Sequence, residues 1–170
     1  LGTIDDMMPL VEENRAIVNV GLRKMAQSTN LGLNNLISFL DIVTPSVADI
    51  QYKVAPRINA CGRMKSAKLG VELLLSTENI KAVQIIAEIE ETNNKRKKLT
   101  KILYDESLSK MSLTEPSIIV HSPKMHEGVL GIVASRLANE YSKVSVVLKE
   151  EEYTYKGSIR SYNGVDVIYI

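Results

Sequence analysis

Asp5 and Asp6 are adjacent carboxylates in an apolar opening segment, residues 1–10, just ahead of Pro9. Paired acids at such a place can ligate a hard divalent cation, and they can equally cap the next helix or stand in solvent. One metal needs more ligands than this pair supplies. Arg57, Asn59 and Arg63 lie among alanine, proline, cysteine and glycine in residues 55–64, with no carboxylate between Asp49 and Glu72. Small neighbours let a backbone or ligand come close, and guanidinium groups without an acid nearby suit phosphate oxygens. The competing reading is two surface arginines on a short helix. Ser158, Arg160 and Ser161 offer hydroxyl and guanidinium donors to a single phosphate. His126-Glu127-Gly128, followed by Gly131, opens an apolar run. A helix starting there presents N–H groups and a partial positive charge to an anion, unless its glycines serve only close packing on a sheet.

The elements that must carry these groups follow from periodicity. Residues 117–121 and 143–148 read as strands on either side of a helix over 126–137, a βαβ unit. Residues 153–161 alternate through Tyr153, Tyr155, Gly157 and Ile159, which predicts a third strand. Ser158, Arg160 and Ser161 then fall at its end, where loops and helix termini of α/β folds gather ligands. The earlier part is mainly helical. Ile17, Val18, Leu22 and Met25 recur at helical spacing in residues 14–27, with Asn14 as cap. Residues 33–42 and 67–75 predict two more helices, and Thr44-Pro45 predicts the cap and first position of another.

Residues 79–111 read as one long helix. Ile80, Val83, Ile86 and Ala87 share a face early in it; Leu99, Ile102 and Leu103 are apolar late in it; residues 90–98 between them are polar throughout. A helix polar all round at its middle commonly bridges two packed bodies, so a boundary is expected there. Lys95, Arg96, Lys97, Lys98 and Lys101 suit a nucleic-acid backbone, and they read equally as a solvated face balanced by Glu88, Glu90 and Glu91.

Composition limits the partners. Lys and Arg number 21 against 20 Asp and Glu, a net charge of +1, so any phosphate-binding surface must be local. The single cysteine, Cys61, excludes an internal disulfide, fits a reducing, cytoplasmic setting and reads as a packed thiol. No apolar run reaches the length of a membrane span, so no membrane partner is expected. The chain opens without methionine and stops on an apolar segment, which reads as a piece of a larger protein.

Four stretches in this order, GTIDDMMPL, APRINACGRM, HEGVLGIVASRL and GSIRS, resemble the RecJ single-stranded-DNA exonucleases of the DHH phosphoesterase superfamily. The resemblance covers essentially the whole chain. It implies an α/β protein: the mainly helical end of a DHH catalytic domain (residues 1–78), a long connecting helix (79–111) and a truncated, small α/β DHH-associated domain (112–170). A substrate strand would be held in the cleft between the domains. Asp6 falls on the aspartate of the family's GTIAD motif, a ligand of Mn2+ or Mg2+, and Asp5 takes the place of its alanine. Arg57, Asn59 and Arg63 fall on a substrate-facing, arginine-rich segment. His126 falls on the histidine of a tryptophan-histidine pair whose tryptophan position holds Met125. Ser158, Arg160 and Ser161 fall on a pocket for the DNA 5′-phosphate.

The Asp-His-His triplet that names the superfamily, the earlier aspartate motifs and the late glycine-glycine-histidine motif do not occur in this chain. By itself it is expected not to cleave DNA. The activity implied for the parent is metal-assisted hydrolysis of single-stranded DNA, in the company of DNA-repair proteins. Two rivals remain: a DHH phosphodiesterase for short oligonucleotides or cyclic dinucleotides, and a replication scaffold of the same fold without a working metal site.

Overall fold

The structure, a computed structural model, describes residues 1–168. The chain divides into two compact units, Leu1–Asn94 and Lys95–Ile170. The first is helical: α1 (Gly2–Asp5), α2 (Glu12–Ala26), α3 (Leu31–Phe39), α4 (Val47–Asp49), α5 (Ala55–Met64), α6 (Lys68–Leu74) and the start of α7 (Asn79–Lys110). The rest of α7 belongs to the second unit, with β1 (Ser117–Ser122), α8 (Glu127–Tyr141), β2 (Val144–Glu150) and β3 (Tyr155–Arg160). This is the helix-rich α/β architecture expected. No helix among the described residues is long and apolar enough to cross a membrane.

Helix starts differ from the sequence reading where two local signals compete. Asn14 does not cap α2, whose cap position is Val11; its amide instead donates to the Pro9 carbonyl at 3.1 Å. Thr44-Pro45 does not open a helix. Ser46 caps α4, with its hydroxyl accepting from the Asp49 N–H and the Asp49 carboxylate returning to Ser46, a capping box that outweighs the proline signal. A π-helical turn, Ile50–Val54, joins α4 to α5 and brings Ile50 and Val54 into the core. Such turns shift the face of a helix without ending it.

The first unit packs Val18, Leu36, Ile50, Val54, Cys61 and Leu73 against Ile85, Ile86 and Ile89 of α7. Cys61 is fully buried, and desolvation is the main cause that pushes its thiol pKa up, so it is held as a neutral thiol. Gly32 of α3 sits so near α6 that an added Cβ would stand 1.8 Å from the Leu73 carbonyl oxygen.

In the second unit β1 and β2 run parallel, joined through α8, and β3 lies antiparallel to β2. Ile118, Val120, Ser145 and Val147 share one sheet face by register and are buried with Val129, Val133 and Leu137 of α8. Arg136 of α8 lies 3.7 Å above the ring of buried Tyr104 on α7, a cation–π contact that fastens the two helices.

Glu106 ties the end of α7 to β1. Its carboxylate accepts from the Lys110 ammonium at 2.8 Å and the Ser122 hydroxyl at 2.7 Å. The ammonium, then the hydroxyl, hold its pKa below the usual 4.5. A depressed folded-state value contributes stability above the unfolded-chain value, and that contribution is lost as pH falls through the folded one. Glu106→Gln therefore lowers stability at neutral pH and flattens its decline on acidification. Denaturant titrations at descending pH measure this; an unchanged acid slope in the variant counts against the linkage.

Candidate functional site

In the first unit the opening acids and the arginine-rich segment meet. The Asn59 amide on α5 donates to both oxygens of the Asp5 carboxylate at 2.8 Å, although the two residues are 54 apart in sequence. Asp5 ends α1, and Asp6 follows at its C-terminal cap. The Asp6 carboxylate is exposed and makes no hydrogen bond or ion pair among the described residues. Asn59 thereby engages one acid and leaves its neighbour available. Arg63 follows Asn59 by one helical turn and is itself exposed, in the last turn of α5.

Arg57 departs from the reading of an unpaired guanidinium. Its Nε donates to Glu90 of α7 at 2.5 Å and its Nη1 to the Lys53 carbonyl at 2.8 Å, and its side chain is only 15% exposed. The partner lies 33 residues downstream, outside any local window. Arg57 clamps α5 to α7. Arg96, on α7 in the second unit, is half-buried.

The other two stretches meet in the second unit. Ser158 is opposite Val147 and Arg160 opposite Ser145, so both belong to the sheet face that α8 covers. A Cβ on Gly131 of α8 would stand 3.1 Å from Arg160 Nη2 and 3.3 Å from Ser158 Oγ. Gly131 is therefore the floor beneath a hydroxyl and a guanidinium group that converge on the first turns of the helix. Ser161 follows β3 directly and is exposed.

The tip of α8 is less open to an anion than its glycines suggest. His126 is the N-cap, and its Nδ1 accepts from the Gly128 N–H at 3.1 Å. The ring is thus the tautomer with its proton on Nε2 when neutral. Glu127 opens the helix and pairs with Lys149 at 3.1 Å and Lys156 at 3.2 Å. Lys149 is first among the causes that hold the Glu127 carboxyl below its ordinary range. A carboxylate already complements the helix dipole there. Ser158 and Arg160 bring a hydroxyl and a guanidinium donor beside these first turns.

No family model matches the chain. Individual relatives do. It is 35% identical to the single-stranded-DNA-specific exonuclease RecJ of Bacillus subtilis, over 98% of this chain and 22% of that protein. With the RecJ of Haemophilus influenzae it shares 34% identity, over 97% of this chain and 31% of that protein. The crystal structure of Thermus thermophilus RecJ in complex with Mg2+ matches over 99% of this chain and 26% of that chain, at 28% identity and a TM-score of 0.92. Over nearly its whole length the chain is similar to RecJ exonucleases. It spans roughly a quarter of the length of these relatives, between the 22% and 31% given for the two sequences. The same Thermus thermophilus protein has also been solved in complex with Mn2+.

Divalent metal in RecJ structures directs attention to the acids of the GTIDD stretch. An exposed carboxylate without a protein partner, as at Asp6, is chemically suited to Mg2+ or Mn2+. Among the described residues no three or more His, Cys, Asp or Glu side chains are gathered to hold an ion. The residues present thus fit the contribution of one ligand to a RecJ-type centre. Sequence reasoning singled out Asp6 and Arg160 but did not see that Asn59 engages Asp5, nor that His126 caps its own helix. The spacing of His126 and Gly128 at a helix start was the signal for the second.

Proposed function

We propose that this chain is the part of a metal-dependent, single-stranded-DNA 5′-to-3′ exonuclease that supplies one metal ligand and the seat for the strand's 5′-phosphate. Residues 1–78 act as the end of the catalytic domain, 79–111 as its connecting helix and 112–170 as part of the DHH-associated domain. The parent protein works in DNA repair and recombination in the cytoplasm, with DNA-repair proteins as partners. The chain alone is inactive, because a two-metal centre needs several carboxylates and imidazoles at close range.

The observation that carries this reading is the convergence of Ser158 Oγ and Arg160 Nη2 over Gly131 in a chain similar to RecJ exonucleases. Asp6 is the proposed ligand of Mn2+ or Mg2+, and Asn59 keeps Asp5 from competing with it. A bound divalent ion supplies positive charge to the scissile phosphodiester and acidifies water. Arg63 and Arg96 contribute backbone charge neutralisation, independent of base sequence. Arg57 acts by holding α5 in register with α7, through Glu90. His126 offers its remaining ring nitrogen to the strand. Ser158, Arg160 and Ser161 hold the terminal phosphate, so that cutting starts at that end.

The test compares 5′-phosphorylated with 5′-hydroxyl strands in the full-length protein. Arg160→Ala weakens handling of the phosphorylated strand by about 1–3 kcal/mol, the range for losing a charge-assisted hydrogen bond, and leaves the hydroxyl strand nearly unchanged. Equal loss on both strands removes the 5′-phosphate assignment.

A further inference from the structure

Most cations placed beside an acid in this protein are paired with it. Lys53 bonds Asp49, Lys65 bonds Glu88, Lys110 bonds Glu106, and Lys149 and Lys156 share Glu127. Lys97, Lys98 and Lys101 of α7 differ. All three are exposed, and among the described residues none has a hydrogen bond or ion pair. Lys101 follows Lys97 by four residues and Lys98 by three, so the three ammonium groups crowd one turn of helix. Asp105, one turn further on, is the acid best placed to answer them, and it forms no ion pair with Lys101. Like charges at this spacing destabilise a helix rather than support it. With 20 acidic residues in the chain, their isolation is local rather than a shortage of carboxylates.

We infer that the Lys97–Lys98–Lys101 face of α7 is a second nucleic-acid contact, on a different element from the Ser158–Arg160 seat, binding the phosphodiester backbone of a single strand. Charge complementarity selects this occupant. The face offers mobile point charges with no aromatic side chain among them, so it grips phosphates in series and reads no base. It is distinct from Arg96, which is half-buried on another side of the helix. Leu103, Tyr104 and Ser107 anchor the same stretch of α7 in the second unit, so the lysines stand on a fixed support.

The experiment uses this 170-residue chain, a fluorescent oligothymidine with a 5′-hydroxyl end, and anisotropy over a salt series. The triple variant Lys97→Gln, Lys98→Gln, Lys101→Gln is set against a control of equal charge change, Lys24→Gln, Lys68→Gln, Lys81→Gln. Circular dichroism checks that both retain helix. The stripe variant binds about tenfold or more weakly at low salt, and its log–log salt slope is shallower by about 2, three phosphate contacts at roughly 0.7 each. The control stays within about twofold of the parent. Equal weakening in both variants overturns the proposal, because net charge then explains it. So does a stripe variant that keeps its DNA affinity while losing affinity for polyglutamate, which assigns the face to an acidic protein segment. Since the probe carries no 5′-phosphate, the result is independent of the Arg160 assignment.

Discussion

Asp6→Asn in the full-length protein is expected to lower metal-dependent cleavage at least about a hundredfold while leaving the fold intact. The substitution keeps shape and removes the charge that a hard cation requires. Its structural cost is small, because the Asp6 side chain is exposed and bonds nothing among the described residues. Asp5→Asn is the informative companion. It weakens the bond to Asn59, now made to a neutral acceptor, but leaves the proposed ligand in place, so cleavage falls far less. Titrating Mn2+ and Mg2+ against turnover distinguishes a lost ligand from a lost fold, since a weakened site recovers part of its rate at high metal. Normal turnover in Asp6→Asn, with loss in Asp5→Asn, assigns the ligand to Asp5 and makes Asn59 its positioning residue. Normal turnover in both discards the site.

What the sequence made legible divides by range. The βαβ unit was legible because its strands, glycine-bearing turn and helix are contiguous, and each follows its own period. Ser158 and Arg160 were legible as a pair because two residues apart on a strand means one face. Contacts between distant segments were not. Nothing near Arg57 announces Glu90, and Asn59 gives no sign of Asp5 on the far side of three intervening α-helices. Composition around Arg57 was misleading for the same reason: an acid-free neighbourhood in sequence is not one in space. The π-helical turn at Ile50–Val54 is also silent, since nothing in its local composition marks it, although it carries Ile50 and Val54 into the core. The cap expected at Thr44 falls instead on Ser46, because reciprocal bonding with Asp49 is available there.

Gly32→Val is expected to destabilise the first unit by about 3 kcal/mol or more, the largest stability effect of any single replacement considered. The helix-propensity scale alone points the other way, because glycine is the poorer helix former. Space overrides it. A Cβ at this position would stand 1.8 Å from the Leu73 carbonyl oxygen and 2.7 Å from its carbonyl carbon, which are backbone atoms with no rotamer to change. Relief requires α3 to move off α6, and Leu36 and Leu73, both fully buried, lose packing together. The Asn30 amide that bonds the Leu74 carbonyl at 2.7 Å is strained by the same movement. Gly32→Ala separates the causes: if propensity governs, alanine stabilises, and if approach governs, alanine already costs most of what valine does. Urea titration of both variants reads the difference, and a stabilised alanine variant would mean that α3 and α6 are further apart than their packing here requires.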